Sequence, residues 1–176
     1  VWFAGNSVAI DLAQHLQAGN TFLANLTSAI QVGFIAGTFT FALFSIADRY
    51  APSKVFFFSA AMAAICNVLI CYWHTQPTQV LAFRFFTGFF LAGIYPVGMK
   101  IAADYFDKGL GKSLGFLVGA LVLGTASPHL MKNFLQGYSW QYVMYSTSLL
   151  AIIGGVFMLL FVPVGPYQKF AKQFSF

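Results

Sequence analysis

Residues 141–163 read QYVMYSTSLLAIIGGVFMLLFVP, a stretch without Asp, Glu, Lys or Arg. A helix that crosses the roughly 30 Å hydrocarbon core of a bilayer needs about 20 mostly apolar residues, and this stretch is long enough. Similar stretches recur along the chain, separated by short polar breaks, so consecutive helices are predicted to be antiparallel neighbours. The sequence predicts an all-α membrane protein with six spans, a partial one at 1–16 and full ones near 26–47, 54–73, 79–103, 113–134 and 141–163.

The composition of the whole chain agrees with a membrane environment. Charged residues make up 7% of the 176 residues, whereas an ordinary soluble protein has about 25%. The hydrophobic fraction is 59% and the mean hydropathy is +0.76. A soluble fold of this size cannot bury so much apolar surface. These values exclude a soluble enzyme, a nucleic-acid-binding protein and a disordered chain.

The basic residues predict the topology, because cytoplasmic loops of membrane proteins are enriched in Lys and Arg. If the spans alternate in direction, one base, Lys132, falls on the outer side and another, Arg84, lies inside a span. Tyr and Trp pairs at 72–73 and at 138 and 140 fall on the outer side, as expected for an interfacial aromatic belt. Both termini are therefore predicted to be cytoplasmic, with seven bases on that side: Arg49, Lys54, Lys100, Lys108, Lys112, Lys169 and Lys172.

The chain begins at Val1, inside an apolar stretch, which indicates that the start of the domain is missing. We interpret residues 1–176 as a single transmembrane domain and residues 164–176 as the start of a cytoplasmic linker. The last residues, from Pro166, are compatible with an interfacial helix or with a frayed tail. Cys66 and Cys71 fall on different faces of one predicted helix, so no metal site, disulfide or cofactor is expected.

Two spans contain similar glycine motifs. Span two has Val32-Gly-Phe-Ile-Ala-Gly37 and span five has Leu114-Gly-Phe-Leu-Val-Gly119, an offset of 82 residues that also relates span one to span four and span three to span six. A repeat of three spans must be inverted in the membrane, which is a recurrent transporter design. The alternative is a chance match, because such motifs are common in apolar helices. In either case Gly33, Gly37, Gly115 and Gly119 allow close helix packing.

Two further motifs identify a family. Asp48 and Arg49 close span two, and Arg84-Phe-Phe-Thr-Gly88 begins about five residues into span four. The first resembles the Gly-x-x-x-Asp-Arg-x-Gly-Arg-Arg loop of the major facilitator superfamily, and the second resembles the Arg-x-x-x-Gly motif of its fourth helix. The stretch Leu91–Lys100 is also similar to uncharacterised bacterial members.

The first motif departs from the family pattern in its other positions. Phe44 stands where the first Gly is expected, Ala51 replaces the second, and Lys54 supplies one base a residue late. The resemblance covers nearly the whole chain and implies the N-terminal six-helix half of a twelve-helix transporter, with a 3+3 inverted repeat. It further implies a bacterial inner-membrane protein, an absent C-terminal half as partner, and secondary active transport of a small solute by alternating access.

Charge inside the hydrocarbon region is costly and usually functional. Arg84 is the main candidate for substrate binding or coupling, and its charge favours an anionic substrate. The alternative is a structural arginine that is bonded to backbone carbonyls or extends to the membrane surface. Asp11 is either a proton carrier, which leaves proton coupling open, or a solvated residue at the outer boundary. In the family, helices one and four line the central cavity, which adds three lining candidates: Asn6, Thr87 and Tyr95.

The charged residues on the cytoplasmic side are candidates for a gate. They could form an ion-pair latch between two cytoplasmic connections, whose release biases a two-state equilibrium. The alternative is a solvated rim with ion pairs of about 0–1 kcal/mol each. The proposed latch residues are Asp48, Arg49, Lys54, Asp104 and Asp107, with Lys108 beside them.

One further motif resembles that of an enzyme. Gly111-Lys-Ser-Leu-Gly115 fits the Gly-x-Ser-x-Gly hydrolase pattern, but that pattern needs a preceding strand, so an enzyme is not expected. A self-contained six-span channel or membrane assembly subunit is the alternative to a transporter. In the family, helices two and five pack against the other half of the transporter, which is one possible role for the glycines of spans two and five. The alternative is packing between helices of this half. Pro96 is expected to kink span four.

Overall fold

The computed structural model describes residues 1–19, 21–72, 76–106, 108–135 and 138–167. Within these ranges every regular element is an α-helix, and five segments are long and apolar enough to cross a membrane. The predicted all-α class is therefore confirmed. The helices are α1 (Ala4–Ser7), α2 (Ala9–His15), α3 (Phe22–Leu43), α4 (Ile46–Arg49), α5 (Pro52–Tyr72), α6 (Pro77–Leu91), α7 (Tyr95–Tyr105), α8 (Leu110–Phe134) and α9 (Gln141–Phe161).

Two of the predicted spans are interrupted. The first consists of the short helices α1 and α2, which meet at Val8, and it is not among the five candidate spans. The fourth is divided into α6 and α7 by a turn at residues 92–94, although residues 77–105 together still count as one candidate span. Pro96 lies in the first turn of α7, where its missing N–H is tolerated. The kink expected near Pro96 is therefore a short break in the helix.

The second span lies four residues earlier than predicted, because α3 ends at Leu43 rather than continuing to residue 47. Ser45 has a left-handed backbone, with φ 49°, which ends the helical path. The single turn α4 follows and carries Asp48 and Arg49. The motif pair therefore lies on a separate short element rather than at the end of a transmembrane helix.

The helices pack unequally. Helix α3 packs closely on α6, and α5 packs on α6 and α9. Asn67 of α5 is fully buried and donates from Nδ2 to the Met144 carbonyl at 3.2 Å and to Ser148 Oγ at 2.9 Å, both on α9. Helix α8 lies largely at the surface, and Pro128 is its buried residue.

Two apolar clusters mark the two ends of the bundle. One contains Leu26, Ile70 and Met144 with residues of α1, α2 and α6. The other contains Val55, Val97 and Ile101, where α3 and α7 end and α5 begins. We call the second the basic end, because five of the described bases lie in the segments that meet there: Arg49, Lys54, Lys100, Lys108 and Lys112. The other predicted bases of this side, Lys169 and Lys172, lie outside the described residues.

Candidate functional site

Arg84 is fully buried on α6, with 0% of its surface exposed. Its Nη2 donates to the Trp2 carbonyl at 2.7 Å and to Asn6 Oδ1 at 3.2 Å, and its Nη1 donates to the Val1 carbonyl at 3.4 Å. These bonds tie α6 to the first segment of the chain. Nε is buried without a hydrogen-bond partner, and within the described ranges no carboxylate forms an ion pair with this guanidinium.

Gly5 explains why the guanidinium fits against α1. A Cβ at position 5 would lie 2.8 Å from Arg84 Cζ and 2.9 Å from Nε, which is closer than real side chains approach. A larger residue at position 5 would therefore require the end of the arginine side chain to shift. Gly5 was not among the residues predicted from sequence, although it lies next to the candidate Asn6.

Asn6 extends the contact to a third helix. Its Nδ2 donates to Thr27 Oγ1 of α3 at 3.2 Å, while its Oδ1 accepts from Arg84. The result is a polar network, Arg84–Asn6–Thr27, that joins α6, α1 and α3. Thr87 is also fully buried, but its hydroxyl donates to the Phe83 carbonyl of its own helix at 2.8 Å. Two predicted lining residues, Asn6 and Arg84, are thus brought together.

Asp11 and Tyr95 lie in other places. Asp11 of α2 forms a 2.7 Å ion pair with Lys132 of α8, and both side chains are 40% exposed. Tyr95 lines an apolar cleft of about 480 Å³ with Phe56, Leu117 and Met158. Neither side chain is part of the Arg84–Asn6–Thr27 network. The alternative of a solvated Asp11 is closest to its observed surroundings, with a partner that was not anticipated.

Close packing of α3 on α6 holds the arginine-bearing helix in place. A Cβ at Gly33 would overlap the Phe85 carbonyl, and one at Gly37 would overlap the Phe89 carbonyl. Gly88 of α6 meets the Ile30 carbonyl in the same way. These glycines therefore pack within the described chain, whereas added Cβ atoms at Gly115 and Gly119 of α8 would meet nothing within 4 Å.

The observed ion pairs at the basic end include only some of the residues predicted for the latch. Lys100 of α7 lies 2.9 Å from Asp48 Oδ1 and 3.6 Å from Asp104 Oδ1, so one lysine joins both acids. Asp104 is nearly buried, and its Oδ2 has no hydrogen-bond partner. Lys100 was placed on this side by sequence but was not identified as the partner of Asp48. Asp107 lies outside the described residues.

Arg49 and Lys54 do not join this latch. Both are exposed, and in the described part of the chain neither has an acidic partner within ion-pair distance. They lie at a groove of about 600 Å³ that Phe41, Phe58 and Phe90 line with apolar surface. We call this the Arg49–Lys54 groove. The basic part of the first motif is therefore separated from its acidic part.

No described set of three or more His, Cys, Asp or Glu side chains could hold a metal ion. The Arg84 network consists of a guanidinium, an amide and a hydroxyl, which can form charged and neutral hydrogen bonds. Both N–H groups of Nη2 are occupied, so Arg84 can offer the paired donors of Nη1 and Nη2 only if contacts with the first segment are exchanged.

Comparison with protein families gives a match to one of them, the Major Facilitator Superfamily, over residues 1–175. Comparison with curated proteins and with solved structures gave no match. Since the match covers nearly the whole chain, the chain belongs to this superfamily, as its motifs predicted. It is an integral membrane protein of a transporter family, not of an enzyme family. The family match therefore favours a transporter over the alternative of a channel or membrane assembly subunit.

Proposed function

We propose that this member of the major facilitator superfamily is the N-terminal six-helix half of a twelve-helix secondary transporter. It moves a small solute by alternating access, in a bacterial inner membrane, with both termini in the cytoplasm. The interrupted first and fourth segments support this proposal, because discontinuous helices form substrate sites in secondary transporters. The substrate site lies between this half and the absent C-terminal half, which packs against it.

The observation that carries the substrate class is the buried charge of Arg84, for which the described residues supply no carboxylate partner. A buried cation without an opposite charge is costly, and hydrogen bonds to carbonyls offset only part of that cost. An anionic solute supplies the missing charge and can accept a bidentate pair of hydrogen bonds from the guanidinium. We therefore assign a small anion as the substrate class, with Asn6 as a second polar contact.

Alternating access gives Arg84 two sets of partners. In the present conformation its donors are held by carbonyls of Val1 and Trp2 and by Asn6. When the first segment moves relative to α6, those donors become free to bind the anion. The substrate then shifts the equilibrium only by the difference in its affinity for the two conformations.

Proton coupling would depend on Asp11 and its lysine partner. Asp11 is the acid available on the outer half, but Lys132 already balances its charge. A proton carrier would therefore have to exchange its lysine partner for a proton during the cycle. This makes the anion site at Arg84 the part to test first.

The test is a ligand-dependent stability screen on the full natural chain, comparing small anions, cations and sugars. We expect an anion to raise the melting temperature, since a ligand at 100 times its Kd adds about 2.7 kcal/mol of stability. Arg84→Gln should abolish that shift. Lys112→Gln, which removes one exposed charge at the basic end, should retain it. An unaltered shift in Arg84→Gln would make Arg84 a structural residue only.

A further inference from the structure

The Arg49–Lys54 groove has features that transport of a solute does not explain. Its floor is apolar and comes from three helices, with Phe41 of α3, Val55 of α5 and Phe90 of α6. Its volume of about 600 Å³ is large enough for part of a long molecule. Phe58, which is 68% exposed, extends the apolar surface outward from the groove along α5.

The charged residues of the groove are all of one sign. Arg49 and Lys54 line it, and the nearest acid along the chain, Asp48, is engaged by Lys100. Tyr50, between them in sequence, is 63% exposed and lines the same groove. An exposed tyrosine beside two bases at the end of a membrane helix is typical of the level of lipid headgroups.

We propose that the Arg49–Lys54 groove binds one anionic phospholipid of the surrounding bilayer. The phosphate lies between Arg49 and Lys54, and one acyl chain lies in the apolar groove against Phe58 and Phe90. Charge complementarity selects the occupant, because basic pockets between transmembrane helices bind anionic headgroups. Because the floor of the groove is apolar, a free phosphate would leave it uncovered, whereas an acyl chain would fill it. The proposal depends on membrane insertion and not on the assignment of a transported solute.

The experiment measures lipid bound to the full natural chain after purification in a neutral detergent. The chain is exposed to an equimolar mixture of long-chain phosphatidylglycerol and phosphatidylcholine, and bound lipid is counted by native mass spectrometry. We expect phosphatidylglycerol to be retained in preference to phosphatidylcholine. Two bases next to one lipid phosphate correspond to roughly a 25-fold gain in affinity, so the double variant Arg49→Gln/Lys54→Gln should lose most of the bound lipid.

The matched control is Lys108→Gln/Lys112→Gln. It removes the same charge from two exposed bases at the same end of the bundle, away from the groove, and should retain the lipid. The charge-preserving pair Arg49→Lys/Lys54→Arg should also retain it, which separates lipid loss from misfolding. Dihexanoyl phosphatidylglycerol and glycerol phosphate should fail to displace the long-chain lipid.

Four results would overturn the proposal. Equal retention of phosphatidylcholine would show that charge does not select the lipid. Equal loss of lipid in the Lys108→Gln/Lys112→Gln control would show that binding depends on the overall surface charge and not on the groove. Displacement by glycerol phosphate would show a headgroup site without an acyl groove. Absence of retained phosphatidylglycerol from the unaltered chain would show that the groove does not bind this lipid.

Discussion

Arg84 and Lys100 show how two basic residues in one predicted span come to serve different purposes. Arg84 is held by carbonyls and an amide inside the bundle, whereas Lys100 is partly exposed and bridges two acids at the basic end. Arginine suits the first position because its planar fork can bind several acceptors at once and stays charged. Lysine suits the second because a flexible ammonium can contact Asp48 and Asp104 together.

The Asp48–Lys100 pair gives a prediction at this scale. Asp48→Asn should slow solute uptake several-fold, because the α4 turn is no longer tied to α7, while leaving membrane insertion intact. The free energy of unfolding should fall by about 1 kcal/mol or less, as for other partly exposed ion pairs. Uptake into proteoliposomes made with the full natural chain is the measurement.

Lys100→Met should reproduce the effect of Asp48→Asn, and the double variant should be no slower than either single variant, because partners in one interaction are not additive. Lys112→Gln serves as a charge control. Additive losses in the double variant, or uptake at the unaltered rate in Asp48→Asn, would exclude a coupled latch.

At the scale of helices, the fold depends on where backbones approach one another and where they break. Helices α3 and α6 approach at Gly33, Gly37 and Gly88, and this contact fixes the height of Arg84 in the bundle. The turn at residues 92–94 then lets α7 take its own direction. Under the predicted 82-residue repeat, the α3–α6 contact corresponds to a contact of α8 with the first segment, but the glycines of α8 face open space. The inverted repeat therefore remains a prediction.

The glycine contact predicts a clear difference between two alanine substitutions. Gly33→Ala should destabilise the protein by about 1–3 kcal/mol, because the new Cβ meets the Phe85 carbonyl and the two helices must move apart. Thermal unfolding in detergent, followed by circular dichroism, measures the loss.

Gly154→Ala is the matched control. Gly154 lies on an exposed part of α9, and an added Cβ meets nothing within 4 Å, so its melting temperature should change little or rise slightly. Similar losses in the two variants would show that the effect of Gly33→Ala does not come from the α3–α6 contact.

At the scale of the whole molecule, charge is segregated between the two ends. The basic end carries the Asp48–Lys100–Asp104 latch and the Arg49–Lys54 groove, while the opposite end carries the Asp11–Lys132 pair. Such an asymmetry orients a membrane protein with its basic end in the cytoplasm. We therefore predict that the latch and the groove face the cytoplasm and that Asp11 faces the outside.

Labelling of introduced cysteines tests this orientation. Lys108 and Tyr138 are both exposed and lie at opposite ends of the bundle. In intact cells an impermeant maleimide should label Tyr138→Cys but not Lys108→Cys, and permeabilised cells should give labelling of both. The native Cys66 and Cys71 are replaced by Ser beforehand, since they are free thiols. The reverse pattern would invert the topology.

The sequence by itself determined the class of the molecule, because hydrophobicity and helix length are properties of single segments. The long apolar stretches, the segregation of Lys and Arg and the two motifs were enough for an all-helical membrane protein of this superfamily. They were also enough to single out Arg84 and Asp48. These features need no knowledge of which segments touch.

Only the tertiary structure decided which residues act together. The partners of Arg84, Asp48 and Asp11 lie 82, 52 and 121 residues away in sequence at Trp2, Lys100 and Lys132, and no local pattern encodes such distances. Asp48 and Arg49 are adjacent in sequence, yet Asp48 pairs with Lys100 of α7 whereas Arg49 lines the groove. Pairing depends on the packing of helices against one another, and that packing is set by glycine contacts and helix breaks that become visible only in three dimensions.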